Sequence, residues 1–430
     1  MKKQDKRRNK KVKNLVFICA ICAILLTVST YAWFIGMKTV NVSSFDIEIA
    51  TTEGLFLSMD GKTWTYNLDA RNVQAYADNT NTWAPEGLIP MSTIGEMDAT
   101  ASRMILYEKG SLTTTKGGYR LLASRVDNTA GEKKGYVAFD LFIKNLSGEA
   151  YYEENNPLNE EAIYLTTNSK VKVAEVGGEA GTGIENSVRV AFTQIGRVIG
   201  TTGADQVDDI TGITCSNSSE TGHAKVTGIC RSAQIWEPND TAHVQNAINW
   251  YDTSCRQRKE DGTDLNLAAS YDTTKKCGTV TTTGYVPTYA ISRVINVTDY
   301  VDVYDGAELN NYESNTSEHS AYLTAIKNKT GEELTAAKAG FKLIKFPYFT
   351  DTKKDKTGNE RETFMTLAPN SITKVRVYIY IEGQDIDNYD FASLGRKISV
   401  NFGFTKERYV ETDVSYSGPS TDITPTTALE

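Results

Sequence analysis

The 430 residues carry a formal net charge of −8, but the first fourteen hold eight basic side chains against one acid, so the chain from Leu15 onward stands at −15. An acidic body of that kind lacks the basic footprint that phosphate backbones require, and no nucleic-acid partner is expected. Glycine at 32, tyrosine at 23 and only 9 prolines exclude a low-complexity stalk and suit a turn-rich β protein large enough for more than one core.

Residues 1–14, ending at Asn14, form a basic tail containing Lys2, Lys3, Lys6, Arg7, Arg8, Lys10, Lys11 and Lys13. Leu15–Ile35 is uncharged, and at ~1.5 Å per residue such a helix reaches about 30 Å, the thickness of a hydrocarbon core. Residues 15–36 are therefore expected to be a hydrophobic helix that meets the membrane. The basic tail stays in the cytoplasm and everything after Gly36 lies outside. Two readings stay open. The segment is a retained single-pass anchor in the cell membrane, or it is a signal peptide cut between Ala32 and Trp33 to give a secreted or cell-surface protein. Cys19 and Cys22 fall inside the apolar run, where they read as small apolar side chains.

Residues 37–199 read as the first part of a β core. Phe45–Ile49 alternates apolar and acidic residues, and Leu55, Leu57 and Met59 repeat the period before an Asp60-Gly61 turn into Lys62–Tyr66. The strongest strand is Tyr136–Lys144. Val137, Phe139, Leu141 and Ile143 share one face, and Ala138, Phe142 and the wetter Asp140 and Lys144 share the other. Lys170–Val176 and Ser187–Phe192 alternate again.

Residues 200–282 turn polar and hold all four cysteines beyond the apolar run: Cys215, Cys230, Cys255 and Cys277. An even number outside the cytoplasm predicts disulfides, with Cys215–Cys230 and Cys255–Cys277 the local solution among three pairings. Zinc is the rival, but CxxC spacing is missing here and His223 and His243 are the nearby histidines. Thr241–Trp250 reads as a short helix with Val244, Ala247 and Ile248 on one side. The stretch is expected to be a disulfide-bearing insertion on the core.

Residues 283–414 return to core character, with an apolar run at Tyr285–Val297 and a helix expected over Ser317–Ala337. Strands are expected at Phe341–Phe346, Val375–Ile381 and Ile398–Phe404. Residues 415–430 read as a flexible tail without an LPxTG motif or a second apolar span. Strands early and late around a variable middle predict a mainly β, antiparallel β-sandwich ectodomain, in which each strand wets one face.

Chemistry is sparsely signalled. His223, His243 and His319 are the three histidines and read as exposed polar residues; the chain has no HExxH, GxSxG, Walker A or GxGxxG pattern, so no enzyme is expected. Glu382, Asp385, Asp387 and Asp390 crowd one acidic loop and are candidate ligands of a Ca²⁺ ion as cofactor; an ordinary solvated turn is the alternative. Trp64, Trp83, Trp236 and Trp250 would serve a carbohydrate platform or the sheets themselves.

Three segments together, Ser29–Phe34 (STYAWF), Tyr136–Gly148 (YVAFDLFIKNLSG) and Val377–Asp390 (VYIYIEGQDIDNYD), resemble the TasA/camelysin-like exported proteins of Gram-positive bacteria. The resemblance implies a jelly-roll-like sandwich, a signal cut near Ala32, and assembly into biofilm-matrix fibres. It also implies that the segment Trp33–Ile49 is donated as a strand to a neighbouring subunit. The expected function is an exported cell-surface structural or adhesive protein that self-assembles. A membrane-tethered module binding a surface polymer or protein is the alternative, and a secreted hydrolase a distant third.

Overall fold

A computed structural model describes residues 40–49, 54–69, 87–108, 112–115, 118–147, 151, 154–200, 207–216, 226–254, 256–258, 271–276, 280–286, 288–290, 300–304, 332–333, 344–389 and 397–408. The chain is mainly β. Its longest strands follow the period-two apolar pattern. Val137–Asn145 and Val188–Ile199 both pair antiparallel with Ser371–Glu382, and these three strands form the centre of a larger sheet. A smaller sheet runs Met365–Leu367, Glu161–Leu165, Lys397–Thr405, Asn41–Ile49, Asn67–Asp69, with Lys170–Val173 also against Lys397–Thr405.

The sheets are mixed and not antiparallel throughout. Asn41–Ile49 runs parallel to Lys397–Thr405, Pro90–Ser92 to Ser371–Glu382, and Gln234–Glu237 to Phe349–Thr350. In each case a long stretch of chain separates the partners, which leaves room for the crossover that parallel pairing demands. The Asn41–Ile49 strand, part of the segment that the family resemblance would donate to a neighbour, is here paired within its own chain.

Facing residues of the two sheets meet in one apolar core. Val137, Phe139, Leu141 and Ile143 from the larger sheet pack with Ile47, Ile398, Val400, Phe402 and Phe404 from the smaller. Phe192 sits at its middle, edge-on to Phe402 and Phe364 with ring centroids 5.0 and 5.1 Å away, an arrangement aromatic quadrupoles favour. The smaller sheet keeps a wet outer face, with Asp46 and Glu48 exposed.

The larger sheet departs from the one-wet-face expectation. Every residue of Ser371–Glu382 is buried, because a second apolar layer covers its back. Met91, Met104, Leu106, Tyr136 and Tyr348 lie over one end, and Ile210, Ile213 and Val226 over the other. The expected outward position of Asp140 is thus an interior one.

Part of residues 200–282 belongs to this core. Val226–Gly228 and Gln234–Glu237 add strands beside Val188–Ile199. Trp236 is fully buried, its indole N–H donating to Asp351 Oδ1 at 2.8 Å. A helix spans Gln245–Ser254, later than expected, and buries Ala247 and Ile248. Cys215 and Cys230 form a disulfide. Cys255 and Cys277 lie outside the described residues; the antiparallel pair Arg256↔Lys276 is formed by their immediate neighbours. The 15–36 segment, Ala32 and Trp33, the tail 415–430 and most of the helix expected over Ser317–Ala337 also lie outside the described residues. Among the described residues no helix is long and apolar enough to cross a membrane.

Candidate functional site: a buried polar ladder

Alternation along Ser371–Glu382 sends Val375, Val377, Ile379 and Ile381 into the core between the sheets. Lys374, Arg376, Tyr378, Tyr380 and Glu382 must then share the back face. Register sets their neighbours: Phe142 opposite Lys374, Asp140 opposite Arg376, Ala138 opposite Tyr378, and Arg189 opposite Tyr380. Burial of an unpaired charge costs several kcal/mol, so partners for these groups decide whether the fold holds.

At one end Arg376 grips Asp140 with two hydrogen bonds, Nε to Oδ1 at 2.7 Å and a terminal nitrogen to Oδ2 at 3.1 Å. Its other terminal nitrogen donates to the Ser102 carbonyl at 3.0 Å. Lys374 Nζ stands 3.3 Å from Asp140 Oδ2 and donates to the Thr211 carbonyl at 2.8 Å. Burial alone would raise the Asp140 pKa, but the Arg376 and Lys374 charges outweigh it and hold the carboxyl below its usual range. Burial pushes the Lys374 ammonium pKa down. Tyr378 and Tyr136 both donate to Glu132, at 2.9 and 2.6 Å.

At the other end Arg189, fully buried, donates to Glu237 Oε1 and Asp385 Oδ2, each at 2.6 Å, and to Thr288 Oγ1 at 3.1 Å. Its guanidinium lies 4.9 Å from the Tyr348 ring centre. Glu382 accepts from Ser92 Oγ, from the Tyr348 hydroxyl at 2.8 Å and from the Gln384 N–H at 3.1 Å. Burial raises the Glu382 pKa and pushes that of Glu237 up to about 7 against the opposing pull of Arg189.

Asp387 bonds His243 Nδ1 at 2.6 Å and accepts the Val244 N–H at 3.1 Å, and its pKa is raised by burial. His243 Nε2 reaches the Gly284 carbonyl at 2.7 Å. A carbonyl only accepts, so Nε2 carries a proton. Burial lowers the imidazole pKa, but the hydrogen bond and charge of Asp387 reverse that and raise it overall. His243 is thus a buried latch, not the exposed polar residue expected. His223 and His319 lie outside the described residues.

The acidic loop therefore sends its carboxylates to separate partners: Glu382 to Ser92 and Tyr348, Asp385 to Arg189, Asp387 to His243. Asp390 lies outside the described residues. Among the described residues no group of three or more His, Cys, Asp or Glu side chains is arranged to hold a metal ion. Sequence reasoning missed both buried pairs, Arg189 with Glu237 and Asp140 with Arg376. The one available signal was the presence of full charges in strands whose apolar alternation is otherwise the strongest in the chain. Chemically the ladder is a cross-brace, because its donors and acceptors join strands and loops far apart in sequence. Comparison with protein-family models, curated proteins and solved structures found no match to this chain.

Proposed function

We propose that this chain is an exported cell-surface structural or adhesive protein. In that reading its two sheets pack as a jelly-roll-like sandwich of the TasA/camelysin kind, and copies assemble at the surface or in a matrix. The observation that carries the reading is the join between the eight basic residues of 1–14 and the uncharged Leu15–Ile35, which supports export of the remainder. The Cys215–Cys230 bridge suits an oxidising compartment. The buried acids and bases are used in bracing, which suits a scaffold more than a reaction centre. Assembly through the N-terminal strand would proceed by exchange of Asn41–Ile49 between copies, since each chain otherwise fills that place itself.

N-terminal sequencing and intact mass of protein from its native host, before and after thiol reduction, test this reading. A mature start at Trp33, with oligomers that disappear when residues before Ile49 are removed, supports the assembling subunit. A reporter fused after Glu430 that stays in the cytoplasm would overturn export altogether. The second reading, a membrane-tethered carbohydrate- or protein-binding module, draws on the half-exposed aromatic rings of Trp250 and Tyr285. An intact Met1–Ile35 segment in membrane fractions would favour it.

A further inference from the structure

Four polar side chains converge where strand ends of the two sheets come together. Asn145 closes the Val137–Asn145 strand and is fully buried. Glu161 opens Glu161–Leu165, and Lys406 follows directly on Lys397–Thr405. Glu161 Oε2 accepts from Asn145 Nδ2 at 2.9 Å and from Lys406 Nζ at 2.9 Å, so one carboxylate oxygen touches both an amine and a carboxamide. Lys406 Nζ also donates to Ser147 Oγ at 2.6 Å. That hydroxyl reaches both Asn145 Oδ1, at 2.9 Å, and Glu161 Oε2. The Ala368 carbonyl accepts the second hydrogen bond from Asn145 Nδ2 at 3.0 Å and fixes the plane of the amide.

We propose that this cluster is a self-processing site, at which Lys406 and Asn145 become joined by a side-chain amide bond with release of ammonia. Each requirement of the reaction has an occupant. Glu161 takes a proton from the Lys406 ammonium, leaving a neutral amine to attack Asn145 Cγ. Ser147 has one hydroxyl proton. Ionised Glu161 claims it at first, and Asn145 Oδ1 claims it once Glu161 is protonated and negative charge builds on that oxygen. Glu161, already bonded to Nδ2, then delivers its proton there and takes the second proton that Nζ must lose; the C–Nδ2 bond breaks, the new C–Nζ bond is kept, and ammonia departs with that proton as ammonium. Atoms and charge balance: one ammonium and one carboxamide give one secondary amide and one ammonium ion.

Burial tends to raise the Glu161 pKa, but the bonds from Ser147, Lys406 and Asn145 outweigh it and hold the carboxyl below its usual range; Glu161 is therefore ionised, and its role as proton acceptor rests on its contact with Lys406 Nζ, not on added basicity. Lys374 and Asp140 do not offer the same chemistry. There Arg376 holds the acid as a carboxylate, which resists attack by an amine. The link would tie the end of the last described strand of the smaller sheet to the larger sheet, closing a covalent loop from 145 to 406. It stands independently of the export reading.

Tryptic mapping of the purified full chain tests it. Acylated Lys406 is not cut, so the expected product joins Asn145–Lys170 to Ile398–Arg408 with a mass one ammonia short of the two peptides. Glu161→Gln and Lys406→Arg should each return the peptides unlinked, with circular dichroism reporting the fold. Wild-type protein that is folded, aged for days and still yields only separate peptides overturns the proposal. A linked pair short by one water also overturns it, since that assigns the bond to Glu161, and so does a link that survives Glu161→Gln.

Discussion

Asp140 and Arg376 face one another across paired strands, with two hydrogen bonds and both side chains buried. Replacement of Asp140 by Ala leaves Arg376 and Lys374 with uncompensated buried charge, and removal of one partner from such a pair costs about 3–5 kcal/mol. Urea denaturation at neutral pH should show that loss. Because the Asp140 pKa is depressed, the contribution is present above the ordinary carboxyl range and fades as pH falls through the folded value. Wild type and variant should therefore converge in strong acid.

His243 gives the opposite pH dependence. Its folded pKa lies above the ordinary value, so its latch is fully made below about pH 6.5 and weakens as pH rises through the folded value. His243→Gln should flatten the alkaline side of the stability profile. Proteolysis near Gly284, which the imidazole holds, should quicken in wild type as pH is raised.

Glu237 adds a second loss of stability as pH rises, from mild acid to neutrality. With its pKa moved from 4.5 to about 7, the folded state binds a proton that the unfolded state has lost, so stability declines across that interval. Glu237→Gln keeps an acceptor for Arg189 without the charge. It should match wild type in mild acid and exceed it in thermal midpoint above pH 7.

Cys215 and Cys230 are 15 residues apart in sequence, and closure of a loop of that size limits the unfolded chain by about 3 kcal/mol. Cys215→Ser with Cys230→Ser should lower the denaturation midpoint accordingly. The double variant should lose the part of the reductant-induced shift that this bridge supplies in wild type.

Calcium at the 382–390 loop would require Asp385 to leave Arg189 and Asp387 to leave His243. Chelator treatment is therefore expected to leave the thermal midpoint unchanged. A fall on chelation, reversed by added Ca²⁺, would show that the loop rearranges around an ion.

The strands were legible because alternation is local. Val137, Phe139, Leu141 and Ile143 declare their shared face within nine residues, and Ile398, Val400, Phe402 and Phe404 do the same. The ladder was not legible, because a charge in a strand reads as wet unless its cover is known. The partners that make Asp140 an interior group are Lys374 and Arg376, of which Arg376 lies 236 residues away. Trp236 was hidden for a related reason: its polar surroundings in sequence masked a four-residue strand that only tertiary pairing reveals. The acidic loop showed its composition but not the direction of its carboxylates, which the distant Arg189 and His243 determine.

The side-by-side, same-direction placement of Asn41–Ile49 and Lys397–Thr405 has a mechanical meaning. Tension drawn through residues 41 and 405 pulls at opposite extremities of the two strands, so the rungs from Asn41↔Lys397 to Ile49↔Phe404 are sheared together and not unzipped one after another. A load applied in that way is carried by all of these rungs at once, and the pair gives way in a single abrupt step.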